Sequence, residues 1–463
     1  MSSRWQKLAF STGSLAAALS YQAFNTYAQF FYVDTMKLSA GLVGLGMVLY
    51  GFWNAVNDPI LGQVSDRTRT RWGRRVPYIL FGTVPLVLAF ILVWTPPFGA
   101  GAAGGGGGTA AAGGGQTVLS PLFLYFVLAI FLFDGLFTLV VINWTALFPE
   151  LYPTLAERAE VSTYRQVLGI VGLILGIALP PALYGAIGWG PMAIIFGVIT
   201  GAAMFVSLLG THEKKEFSLD QPLGLRAALS QTMKNKSFIT FVIASMFINF
   251  AFVTLTAAVP FYAKYVLKIG GNATSIMLAA AFLVALPSVY FWSGYAVRHG
   301  ARRALIWSLV TFGVATIPFV FAQNLVGGLI GTALIGAGLG GLLVLTDLLL
   351  SDVVDEDELR TGTRREGMYF GINGLFIRLA GSIQAAVTAL ILTGTGYQAD
   401  LAEQAAGAVI GLRALMTALP VAGMVIALAA MYYYPLHGAR LDQVKAEVEA
   451  LHAQKAERAA AKA

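Results

Sequence analysis

In a chain of 463 residues, 57% are hydrophobic and only 11% are charged, against about 25% charged in a water-soluble domain, which excludes a soluble globular protein. The net charge of +7 is not gathered on a water-exposed domain with a stacking surface, so nucleic-acid binding is excluded too. Without cysteine there are neither disulfides nor thiolate metal sites.

A helix crossing the ~30 Å hydrocarbon core needs about 20 mostly apolar residues. Segments of that kind begin near Ser11, Ala40, Pro77, Pro121, Val161, Gly188, Ser237, Thr274, Ala304, Asn324, Gly367 and Ala408. The first carries Tyr21, Gln22 and Asn25 and no small-residue cleavage pattern follows it, so it reads as a retained span rather than a signal peptide. Strand signals are lacking and backbone groups in lipid must be satisfied internally, so the spans are helices. The expected fold is an all-α membrane protein of twelve transmembrane helices.

Of the 30 Lys and Arg residues, 25 fall in segments on the side that holds both termini. The positive-inside rule then places both termini in the cytoplasm, with the chain in the plasma membrane. Gly62-Gln-Val-Ser-Asp66-Arg67, closing on Gly73-Arg74-Arg75, is echoed six spans later by Gly294 to Arg303. Such repetition predicts two pseudo-symmetric six-helix bundles, 1–212 and 237–435, joined by a cytoplasmic linker over 213–236. Gly197 and Gly201, Gly327 and Gly331, and Gly336 and Gly340 have the small-residue spacing of closely packed helices. The Gly/Ala tract from Gly99 to Gly115 reads as a low-complexity outer loop. The tail, 436–463, spaces Leu441, Val444, Val448 and Leu451 among charges, the pattern of an amphipathic helix on the inner membrane surface or against a partner.

Carboxylates inside the spans cost roughly 2.5 to 3.5 kcal/mol each on insertion scales, so each needs a partner, a cavity or a proton. In Trp53-Asn54-Ala-Val-Asn57-Asp58-Pro59, Asn54 and Asp58 share a helix face and Pro59 frees a carbonyl one turn back. This gathering of oxygens suits either a small hard cation or a proton-exchanging carboxylate, with a packed helix contact as the structural alternative. Asp134 in the fourth span and Arg378 in the eleventh are isolated charges, read as charge partners of that site or as a fixed ion pair. At the inner end of the tenth span, Asp352, Asp355, Glu356, Asp357, Arg364 and Glu366 face two options. They bridge to Arg74, Arg75 or Arg302 and close the inner side together with Asp66, or they form a solvated acidic loop. No histidine lies in a span and no P-loop is present, which disfavours a histidine relay and ATP-driven transport.

Three blocks together resemble one family. They are Trp53 to Pro59 followed by Asp66 to Arg75, Asp352 to Arg378, and Glu157-Arg158 leading to Tyr164-Arg165. The chain resembles the glycoside-pentoside-hexuronide:cation symporters, the melibiose-permease branch of the major facilitator superfamily. That resemblance implies the major facilitator fold, alternating access and symport of a small solute with a cation, H⁺ or Na⁺, without another cofactor. It implies cation coupling at Asp58 with Asn54 and Asn57, a coupling charge at Arg378, and substrate contact by Arg165. Asn54 stands where the family has a second cation-binding aspartate, and Ala18 and Val141 stand where it has sugar-binding ones. Asp134, two turns before Val141, is the expected replacement, with Asn25 and Thr145 as further polar substrate contacts.

The expected partners are the small-molecule substrate, the coupling cation and the lipid bilayer, with no nucleic acid, for a monomer without enzymatic activity. A sugar or glycoside is the first expectation. An amphiphile is the second, since the family also resembles the vertebrate sodium-dependent lysophosphatidylcholine symporter. A membrane sensor or a membrane-embedded enzyme is the alternative of another class.

Overall fold

A computed structural model describes residues 3–68, 70, 73–98, 116–152, 155–209, 211, 232–361, 365–399 and 401–460. The expected Gly/Ala loop and most of the expected linker lie outside the described residues. Helices account for the described chain, and among the described residues there is no named strand. In chain order they are α1 Arg4–Phe30, α2 Ala40–Arg67, α3 Val76–Trp94, α4 Pro121–Leu151, α5 Leu155–Ala178, α6 Pro180–Ile187, α7 Trp189–Ser207 and α8 Lys236–Tyr265. They continue with α9 Gly271–His299, α10 Ala301–Ala315, α11 Pro318–Phe321, α12 Leu325–Thr361, α13 Glu366–Gly394, α14 Ala406–Met416, α15 Ala418–Tyr432 and α16 Ala439–Ala460.

Local chemistry sets these starts. Ser3 and Gln6 form a reciprocal capping box on α1, and Ser39 and Ser120 accept from the amides of Leu42 and Phe123 to open α2 and α4. The carboxamide of Asn235 accepts from the amides of Ser237 and Phe238 at the start of α8. Each cap satisfies donors that a helix N-terminus leaves unpaired.

Ten helical stretches among the described residues are long and apolar enough to cross a membrane. This makes the chain an integral membrane protein. The two remaining expected spans are α1, which carries Ser11, Ser14, Ser20, Gln22, Asn25 and Thr26, and α2, which has an apolar stretch over Ala40–Asn54.

The chain divides into two compact units. The first comprises Met1–Gln221, Thr256–Ala279 and Ser382–Leu415, so segments far apart in sequence share one packed body. Within it α1 packs along α5 and α7. Glycine makes the α1–α5 approach possible, because a Cβ on Gly172 or Gly176 would stand 2.6 or 2.7 Å from the carbonyl oxygens of Leu15 and Leu19. Past Phe30, α1 runs into a single π-helical turn, Phe31–Thr35, which turns Asp34 into the protein interior.

The second unit comprises Pro222–Leu255, Ala280–Gly381 and Met416–Ala463. Here α12 offers glycine on two faces: Gly336 and Gly340 sit against the backbone of α9 at Ala281 and Ala285, while Gly338 and Gly341 sit against Phe312 and Ser308 of α10. The Trp292 indole donates to Ala337 O (2.7 Å) and the Ser308 hydroxyl to Gly338 O (2.9 Å), which ties the three helices together. The acidic run, for which a solvated loop was the alternative to an inner gate, forms the last turns of α12, with Asp352, Glu356, Asp357 and Glu358 all buried.

Candidate functional site

Asp134, 1% exposed on α4, is the centre of a polar cluster inside the first unit. The side-chain amides of Asn54 and Asn57 on α2 donate to its two oxygens at 2.6 and 2.5 Å, and the Tyr50 hydroxyl donates at 3.0 Å. Residues 50, 54 and 57 recur at the helical spacing of four and three, so one face of α2 supplies all three donors. Both asparagines spend their N–H groups on the carboxylate. Their Oδ1 atoms are buried and accept no hydrogen bond among the described residues. The carboxylate and the two buried amide oxygens are the oxygen groups this cluster offers to a hard cation or a proton. Asp58 lies one residue beyond Asn57 on the same helix, and its side chain lies outside the described residues.

A cavity of about 370 Å³ opens in the same unit between α1, α4 and α5, lined by Ser14, Ala18, Trp144, Ser162, Arg165 and Gln166 among others. Trp144 is fixed there by a hydrogen bond from its indole to Phe10 O (3.1 Å) and by stacking on the Phe10 ring. The guanidinium carbon of Arg165 lies 4.6 Å from the centroid of Trp144 and 4.7 Å from that of Phe148, so aromatic faces hold the cation in place.

A third cluster closes the end of the unit opposite the N-terminus of α1. Asp34, 3% exposed, accepts from Lys264 Nζ at 2.6 Å, from the Tyr397 hydroxyl at 2.8 Å and from the Tyr265 hydroxyl. Burial and the Asp34 carboxylate both push the Tyr397 phenol upward, which keeps it a donor. One layer deeper, Gln29 donates to Ala385 O (3.2 Å) and accepts from Gln384 (3.4 Å). Beside the cluster, Lys37 and Lys268 donate to Ala399 O and to Glu403. These two lysines have φ of 62° and 53°, the only positive values outside glycine among the described residues, and each ends a helix in the left-handed conformation.

Sequence reasoning passed over Asp34, although a signal was present. Phe31-Tyr32-Val33-Asp34 and Phe261-Tyr262-Ala263-Lys264 are echoes of each other at the ends of the first and seventh expected spans, with opposite charge at the fourth place.

A family model described as MFS/sugar transport protein matches residues 9–438. The chain belongs to that family. It is 26% identical to the isoprimeverose transporter of Lactiplantibacillus pentosus, over 97% of this chain and 92% of that one. It is 24% identical to the putative glycoside/cation symporter YagG of Escherichia coli (strain K12), over 96% and 94%. It is 22% identical to the sodium-dependent lysophosphatidylcholine symporter 1-A of Danio rerio, over 96% and 88%. Among solved structures, the nucleoside transporter NupG superposes with a TM-score of 0.64 at 13% identity, covering 93% of this chain and all of that one. A bacterial homologue of the human lysosomal transporter Spinster, inward-facing and unoccupied, gives 0.65 at 13% identity over 94% and 98%. These structures establish the major facilitator fold, and the proteins around this chain are transporters.

Within this member of the transporter family the structure brings Asn54, Asn57 and Asp134 together and sets Arg165 in a cavity. Asn25 is half-buried on α1 and Thr145 is exposed on α4; neither lines the Arg165 cavity, which its neighbour Trp144 faces instead. Arg378 belongs to α13 in the second unit.

Asp352, expected at the inner gate, is paired with Lys445 of the tail helix α16 at 3.4 Å, and Arg302 donates to the carbonyls of Met431 and Tyr432. Glu356 accepts from Arg440 at 2.5 Å, and Arg365 grips both oxygens of Asp357 at 2.7 and 2.9 Å. Val444 and Val448 of α16 are buried beside them, so the amphipathic tail packs on α12. Arg74, Arg75 and Asp355 are half-buried. Arg364 and the side chains of Asp66 and Glu366 lie outside the described residues.

Proposed function

We propose that this chain is a secondary active transporter that carries a small solute such as a sugar or glycoside in symport with a cation, H⁺ or Na⁺, by alternating access. The observation that carries the reading is the buried Asp134 carboxylate held by Asn54 and Asn57, whose own oxygens lack donors. A structural polar contact would be expected to satisfy those oxygens; a site that takes up a cation or proton leaves them ready. Asp58 belongs to the same coupling site, one residue along α2, and Arg378 is its charge partner from the other half. Arg165, Asn25, Asp134 and Thr145 contact the substrate. Asp66, Arg74, Arg75, Asp352, Asp355, Arg364 and Glu366 serve the inner closure.

In this reading the protein has twelve transmembrane helices in two pseudo-symmetric bundles, 1–212 and 237–435, with a linker over 213–236 and the tail 436–463. Both termini face the cytoplasm of a plasma-membrane monomer. The Asp34 cluster is the outer closure, joining the ends of the first, seventh and eleventh spans. The names of the relatives in Lactiplantibacillus pentosus and Escherichia coli support a glycoside-type solute. The relative in Danio rerio supports a second reading, symport of a lysolipid or similar amphiphile.

Uptake into proteoliposomes under an imposed H⁺ or Na⁺ gradient tests the proposal. Accumulation that follows one gradient and is lost in Asp58→Asn is expected. A substrate panel that no gradient drives, with Asp58→Asn equal to the parent, removes coupled transport.

A further inference from the structure

The joint between α9 and α10, in the second unit, carries charge that the transport reading does not use. Gly300, at φ 88°, lets the chain turn from one helix into the next, so Arg298 and Arg303 flank one tight connection. Both arginines are exposed, and neither side chain has an ion-pair or hydrogen-bond partner among the described residues. Their neighbour Arg302 is spent on the carbonyls of Met431 and Tyr432 at the end of α15 (2.8 and 2.7 Å), and the charges of Arg302 and Arg303 both bear on His437. The carboxylates whose charge reaches Tyr434, Asp352 and Glu356, are taken up by Lys445 and Arg440. Two unpaired cations thus stand where two membrane-crossing helices meet.

The surface that adjoins them is apolar. Leu283, Tyr290 and Val297 recur every seven residues, an exposed stripe on α9 that runs up to Arg298. On α10, Arg303 is followed at four and eleven residues by exposed Trp307 and Val314, so it heads a second stripe. Exposed Tyr432 and Tyr433, whose backbone Arg302 holds, place aromatic rings beside the arginines, as at a membrane surface.

We infer that this corner holds an anionic phospholipid, its phosphate between Arg298 and Arg303 and its acyl chains along the exposed stripes of α9 and α10. A headgroup of net negative charge neutralises cations that the protein leaves unpaired, whereas a zwitterionic headgroup brings a cation of its own. A free phosphate ion would meet the arginines but cover neither stripe.

A bimane label on Val297→Cys, in a chain with no native cysteine, reads the lipid directly and needs no solute. In phosphatidylcholine nanodiscs, phosphatidylglycerol spin-labelled on an acyl chain should quench the label about tenfold better than phosphatidylcholine labelled in the same way. Adding Arg298→Gln with Arg303→Gln should bring the two lipids level. Lys234→Gln with Lys236→Gln removes as much charge from exposed lysines at the start of α8 and should leave the preference intact, as should excess inorganic phosphate at constant ionic strength. Equal quenching by the two lipids in the parent overturns the site. An equal loss in both double variants reduces it to diffuse attraction and overturns it too, and displacement by phosphate shows a site for a free anion instead. If the arginine variant does not fold, the parent's preference and the phosphate competition decide.

Discussion

The carboxylate of Asp34 and the ammonium of Lys264 lie 2.6 Å apart across 230 residues of sequence. They sit at the same place in two echoing segments, so the two halves of the chain meet there with opposite charge. Asp34 is 3% exposed while the Lys264 side chain is 48% exposed, and Tyr265 and Tyr397 also donate to the carboxylate. Lys264→Met therefore removes one charged hydrogen bond of three, a cost of about 1–3 kcal/mol, without stranding the acid. The native chain has no cysteine, so a single reporter at buried Gln384→Cys gives a clean reading of this closure. Maleimide labelling should be several-fold faster in Lys264→Met. Equal labelling rates would show that the pair does not hold the ends of these helices together.

Why this pair escaped the sequence reading, while the helices did not, follows from range. Helix starts are local: Ser39, Ser120 and Asn235 announce them within three residues of the amides they cap. Asn54, Asn57 and Asp134 were each legible as costly polar groups inside apolar spans, and the spacing of the two asparagines put them on adjoining faces. That the acid of α4 gathers both amides is a property of how α2 packs on α4, which no spacing within α2 contains. Asp34 was passed over because the π-helical turn that buries it has no composition of its own. The acidic run 352–358 depends on both ranges: Arg365 pairs with Asp357 eight residues on, while Arg440 and Lys445 come from a tail helix some 90 residues away.

The tail helix makes its own prediction. The Glu356 side chain is 6% exposed, its Oε1 is held by Arg440, and its Oε2 accepts no hydrogen bond among the described residues. Arg440→Ala leaves a buried carboxylate without its cation and should lower stability by about 1–3 kcal/mol, toward the smaller figure because Arg440 is itself 56% exposed. Adding Glu356→Gln removes the stranded charge and should restore part of the melting temperature. A double variant no more stable than Arg440→Ala alone would show that the pair carries no weight.

The joint before that helix confers a pH dependence. Burial lowers the pKa of His437 from its ordinary value, and the charges of Arg302 and Arg303 lower it further. The folded protein thus holds this imidazole neutral where the unfolded chain would protonate it. Its contribution is complete above the unfolded value of about 6.5 and is lost as pH falls through that value toward the lower folded one. Between pH 7.5 and 5.5 the melting temperature of His437→Gln should fall less than that of the parent. Identical slopes would exclude His437 as a source of the dependence.

The sharpest handle on ion choice is Asn54. Its amide now donates to Asp134 Oδ1 at 2.6 Å, so Asn54→Asp sets two carboxylates against each other where a donor and an acceptor had met. Both cannot be ionised at that distance without a bound cation, and the pair must share a proton or recruit a metal ion. With the Asn57 amide still donating to the other oxygen of Asp134, the variant offers one more anionic ligand in an otherwise unchanged frame, and hard-cation sites strengthen with ligand charge. Uptake in Asn54→Asp should become about tenfold more responsive to Na⁺, equivalent to about 1.4 kcal/mol of added binding. In Asp134→Asn, accumulation against a gradient should vanish while exchange of solute persists with a raised KM, since Arg165, Asn25 and Thr145 remain as substrate contacts. If Asn54→Asp gains no Na⁺ response and Asp134→Asn still accumulates solute, this cluster is a packing contact and the coupling ion binds elsewhere.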